Sequence, residues 1–131
     1  MRKLALALLM APLLAHAAQW VKVGSVGGAD SYIDKSSTIK ADKGYKVWSL
    51  VSYAKPQATP DGTPYLSVKA LHLYSCAERT TTLLSQVFYG EAMGKGAIAQ
   101  SLKYEKFNPE DIIPDSVEDG ALQVICRGKK S

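Results

Sequence analysis

Apolar and polar residues alternate with a period of two along most of this chain, the signature of strands with one face buried. The clearest case is residues 66–76. Leu66, Val68, Ala70, His72, Tyr74 and Cys76 share one face, and Ser67, Lys69, Leu71, Leu73 and Ser75 share the other. Residues 80–89 continue with threonines, Leu83, Leu84, Val87 and Phe88. Only Ala77, Glu78 and Arg79 separate the two runs, too few for a crossover, so they pair antiparallel. Upstream, the pattern predicts strands over 19–23, 31–34 and 45–54, the last rich in the β-formers Tyr45, Val47, Trp48, Val51 and Tyr53. The sequence Ala41-Asp42-Lys43-Gly44 has hairpin-turn chemistry and pairs residues 37–40 with the strand that follows. A further strand is expected over 97–104. Residues 55–64, with Pro56, Pro60, Asp61-Gly62 and Pro64, read as one exposed loop, and the glycines of 90–96 as another.

The period changes near the C-terminus. Val117, Ala121, Val124 and Ile125 recur at helical spacing. Ser116 is placed to cap the helix, Asp115, Glu118 and Asp119 crowd its positive end, and Arg127, Gly128, Lys129 and Lys130 suit its end. Gly120 weakens the helix by about 1 kcal/mol against Ala, so the helix relies on packing. The expected architecture is α+β: a mainly antiparallel sheet of about six strands with a C-terminal helix packed on it.

The N-terminus changes where this domain is expected to fold. Arg2 and Lys3 precede an apolar run over 4–14, and Ala15-His16-Ala17 supplies small residues for a cut after Ala17. This reads as a secretory signal peptide over 1–17, followed by a single domain over 18–131. The run is shorter than the roughly 20 residues that span a bilayer, so membrane contact is expected only during export. No cysteine follows the cut, so no lipid anchor is expected, and the chain is placed in the periplasm or outside the cell. Cys76 and Cys126 are the two cysteines, and in an oxidising compartment a pair most simply forms one bridge, here from the strand ending at Cys76 to the helix. The formal charge of +4 falls to about +2 without Arg2 and Lys3. The remaining cations are scattered, which gives no footprint for nucleic acid.

Candidate chemistry is sparse. His72 is the one histidine after the signal and sits mid-strand among apolar neighbours, more in keeping with packing than with proton transfer. There is no G-x-S-x-G elbow, no H-E-x-x-H and no His/Cys cluster. Gly94-Lys95-Gly96 is too short for a phosphate cradle. Glu110, Asp111, Asp115, Glu118 and Asp119 lack calcium-loop spacing and suit a helix start better. No enzyme activity, metal or cofactor is therefore expected. A protein-binding role remains, with the lysines of the hairpin and neighbouring strands, Lys43, Lys46 and Lys69, as partner-binding candidates. Exposed sheet edges also invite pairing of two copies, a homodimer.

The ordered set of short motifs carries a resemblance. It comprises the Trp20 strand, Ser31-Tyr32-Ile33-Asp34, Val47-Trp48-Ser49-Leu50, Ser67-Val68-Lys69, Tyr74-Ser75-Cys76-Ala77-Glu78-Arg79, Tyr89, Met93-Gly94-Lys95-Gly96, Pro114-Asp115-Ser116 and Val124-Ile125-Cys126. Together these resemble the surface-adhesin protein E family of Gram-negative bacteria, with Phe107 where that pattern has tryptophan. The resemblance implies an antiparallel sheet with a packed helix, a Cys76–Cys126 disulfide, dimers, and binding of host extracellular-matrix proteins including vitronectin and laminin. The alternative expectation is a soluble periplasmic protein of another role, such as an inhibitor of an enzyme.

Overall fold

A computed structural model describes residues 18–128; the expected signal segment 1–17 and the lysines Lys129 and Lys130 lie outside the described residues. Six strands form the main path of one antiparallel sheet, in the order β1-β2-β4-β5-β6-β7. They are β1 (Trp20–Val26), β2 (Ala29–Asp34), β4 (Gly44–Ala58), β5 (Pro64–Ser75), β6 (Thr80–Tyr89) and β7 (Ile98–Lys103). Two short strands complete it: β3 (Ile39–Ala41) pairs with β4, and β8 (Glu110–Asp111) pairs with β6. Among the described residues there is one α-helix, α1 (Val117–Cys126). The main path is thus the expected six strands, joined as hairpins.

The differences from the sequence expectations have local causes. The long loop expected over 55–64 is half strand, with β4 running to Ala58 and β5 starting at Pro64. The ladder is irregular between Ser52 and Gln57, which accommodates Pro56 with its missing N–H, and Pro64 occupies a first strand position, where proline is tolerated. The turn is closed by Thr59 and Thr63, with the Asp61 carboxylate accepting from both threonine hydroxyls. Glu110 and Asp111 form β8 rather than flanking the helix start.

The main core lies between α1 and one sheet face. Ile33 of β2, Val47 of β4 and Tyr74 of β5 are buried against Ala121, Leu122 and Ile125 of α1, with Ile112 closing one side. The helix is fixed at both ends. At its start the Ser116 side chain accepts from the Asp119 amide. Asp119 is only 4% exposed and accepts from the Asp115 amide and from the Arg79 guanidinium at 2.9 Å. These donors hold its carboxyl below the usual carboxylate range. At its end, the Cys76–Cys126 disulfide ties the last helical residue to the residue after β5, with Cα atoms 5.8 Å apart.

Gly120 owes its place to packing. A Cβ there would sit 2.9 Å from the Val23 carbonyl oxygen, so the absent side chain lets α1 lie directly on β1. Gly120→Ala is therefore expected to lower stability by about 1–2 kcal/mol, although alanine is the better helix former by about 1 kcal/mol. Chemical denaturation measures this, and a stabilised variant would show that α1 is not seated so closely.

Candidate functional site

The two faces of the sheet differ, and the difference locates the candidate site. On the helix-covered face, a cleft of about 520 Å³ lies beside α1, lined by residues that include His72, Tyr104, Glu110 and Glu118. His72 pairs in register with Val47 and Leu83. Its Nδ1 lies 3.4 Å from the Ser49 hydroxyl, which itself donates to the Ala70 carbonyl at 3.2 Å. Desolvation pushes the imidazole down to about 4, opposed in part by the nearby Glu118 carboxylate. Such a ring is neutral at pH 7 and a weak base, and the serine beside it is engaged with backbone. Burial likewise raises the neighbouring Tyr74 phenol to about 12. These groups describe a packed polar seam under the helix.

Among the described residues the opposite face carries no α-helix, only the short 3-10 turn Ala92–Gly94 at one end. Lys46 faces Leu73, Trp48 faces Leu71, Leu50 faces Lys69 and Ser52 faces Ser67 across β4 and β5. The rows continue into β6 as Thr82, Ser85, Val87 and Tyr89, and into β7 as Lys103, Ser101 and Ile98. One end of this face is closed by residues 90–97. The wholly buried Ser67 donates to the Glu91 carbonyl and accepts from the Gly94 amide at 2.8 Å, while Ser52 accepts from the Met93 amide at 3.1 Å. Leu50, on the same face, is fully buried. Beyond it Trp48, Leu71, Leu73 and Val87 remain half-buried, outside the core cluster. They form an apolar stripe with lysines at its borders and no carboxylate in its rows across β4 to β7.

The three lysines singled out from the sequence take different positions. Lys46 is exposed on this face, next to the stripe. Lys69 is on the same face but half-buried, with its ammonium 5.0 Å from the Tyr89 ring centre and 5.8 Å from that of Trp20. Lys43 is exposed in the β3–β4 turn. Lys103, Trp48, Leu71 and Leu73 were not among the sequence candidates. The alternation along residues 66–76 had already grouped Lys69, Leu71 and Leu73; only the side chosen by the helix marks their face as the open one.

A sequence profile described as Surface-adhesin protein E matches residues 20–127. The chain belongs to the surface-adhesin protein E family. The fold agrees with solved structures of protein E from Haemophilus influenzae. One is 23% identical with a TM-score of 0.61, over 82% of this chain and 92% of that one. Another, from non-typeable Haemophilus influenzae, is 23% identical with a TM-score of 0.63, over 89% and 81%. A second crystal form of protein E is 22% identical with a TM-score of 0.62, over 84% and 95%. No curated protein matches the chain. Among the described residues no helix is long and apolar enough to cross a membrane.

Proposed function

We propose that this member of the surface-adhesin protein E family is an exported, non-enzymatic binding module that attaches to host extracellular-matrix proteins through the helix-free face of its sheet. The observation that carries the reading is the family match over residues 20–127, nearly the whole described domain. The open apolar stripe beside Lys46 and Lys69 supports the choice of face, since large apolar residues left half-buried on a surface are typical of interaction sites. Export follows from the signal pattern of residues 1–17, with cleavage near Ala17 and the domain running from 18 to 131. The outer edge of β7, a terminal strand of the sheet, suits pairing of two copies as a homodimer.

The test is binding to immobilised vitronectin and laminin. Wild-type protein is expected to bind, more weakly as salt rises, and the triple variant Lys43→Glu, Lys46→Glu, Lys69→Glu to lose most of that binding while keeping its circular dichroism. No binding at low salt, or binding indifferent to all three substitutions, would refute the reading.

A further inference from the structure

We propose that the helix-free face docks an acidic amphipathic helix of a partner protein. Its apolar stripe would lie on Trp48, Leu71, Leu73 and Val87, and its carboxylates would reach Lys46 and Lys103. This rests on the reading of the protein as a binding module and specifies the partner's chemistry.

The kind of element follows from the backbone. Inside the sheet the N–H and C=O groups of β4, β5 and β6 are spent on neighbouring strands, so a ligand on the face meets side chains only. An extended peptide would leave its own backbone unpaired there. A helix satisfies its backbone internally and offers an apolar stripe, which is how α1 covers the other face. The docked state would be a three-layer arrangement, with the partner helix opposite α1.

The sign of the partner follows from the register. The rows crossing β4 to β7 hold Lys46, Lys69 and Lys103 and no carboxylate. The acids of neighbouring β2 are already taken. Asp30 is paired with Lys22 at 3.3 Å, and Asp34 accepts from the Gln19 amide and from Ser36. Lys69 is held over two rings, which leaves two exposed cations: Lys46, at the β4 end of the Leu73 row, and Lys103, at the β7 end of the neighbouring Trp48–Leu71–Ser85 row. A second copy of this face would set lysines against lysines. An acidic partner is the occupant that complements both the stripe and its border.

The experiment is an amide NMR titration of the exported, isotope-labelled protein with a synthetic amphipathic helix of leucine and glutamate. A control peptide has lysine in place of glutamate. Shifts are expected at Trp48, Leu71, Leu73 and Val87 with the acidic peptide alone. The double variant Lys46→Glu, Lys103→Glu, both substitutions being on exposed side chains, should weaken binding about tenfold. The inference is overturned if neither peptide binds, if both bind equally, or if the shifts fall on the α1 face. It is equally overturned if only anionic phosphatidylglycerol vesicles bind, or if the same residues shift with protein concentration alone. Matrix binding that survives without acidic-peptide binding would remove this inference and leave the proposed function. Peptide binding without matrix binding would do the reverse.

Discussion

Replacing Cys76 and Cys126 by alanine is expected to lower unfolding stability by about 4 kcal/mol. The bridge spans a sequence separation of 50 residues, and closing a loop of that length restricts the unfolded chain by about this amount on the chain-entropy account. The folded state has its own reason to suffer. Cys126 is the last residue of α1. Without the bridge, the end of the helix is held by the packing of Leu122, Val124 and Ile125, while its start keeps the Arg79–Asp119 pair. The fraying should therefore begin at the C-terminal turn. At roughly 4 °C or more per kcal/mol for a domain of this size, calorimetry should show Tm falling by roughly 15 °C. A fall below about 3 °C would mean that the helix is held by its apolar face and the Arg79 pair without help. Hydrogen exchange would locate the effect, with amides of the last turn of α1 losing protection before those of β4 and β5.

The second large effect is on pH. The His72 imidazole titrates near 6.5 in the unfolded chain and at about 4 in the fold, because its ring is desolvated between the sheet and α1. Below pH 6.5 the unfolded chain takes up a proton that the folded protein refuses, so stability falls as the pH is lowered. The loss continues to about pH 4 and amounts to roughly 3 kcal/mol, with a slope approaching one proton. The depressed carboxyls of Asp30, Asp61 and Asp119 act in a different window. Their contribution is present above the unfolded value of 3.8 and is lost only as pH falls below it. The two contributions are separable by urea titrations between pH 7 and 4 on wild type and His72→Gln. The wild type should lose roughly 3 kcal/mol across that range and the variant should lack that loss. Parallel curves would show that the ring is hydrated or charged in the fold.

The elements with strict alternation were legible from the sequence because they obey one rule along their whole length. Residues 80–89 were expected as a strand and are β6, end to end. The Ser116 cap and the α1 that follows it were legible for the same reason, since cap, charges and apolar spacing agree. The region of Pro56 and Pro64 was not. Proline lowers strand propensity in any local reading, and only the ladder to β5 and its irregularity give those residues strand positions. β8 was equally hidden, because two acidic residues have no strand signal and pair through Thr80 and Thr81 of a neighbour remote in sequence. Asp119 read as an acid at a helix start; its burial depends on Arg79, 40 residues away.

By itself, the sequence determined the two faces of β5, the antiparallel class, the cysteine pair and the capped helix, since each depends on neighbours within a few residues or on simple counting. It also carried the family through an ordered set of short motifs. What it left undecided was which face the helix takes. Leu71 and Leu73 on one side and Val68, Ala70 and Tyr74 on the other are both apolar enough to be covered. Tertiary structure decides this through Gly120 against Val23, Arg79 against Asp119 and Cys76 against Cys126, three long-range contacts that place α1 on the side of Tyr74. That placement leaves Trp48, Leu71 and Leu73 half-buried on the open side. The candidate binding face is thus fixed by where the core closed, a property of contacts between distant residues that no local pattern encodes.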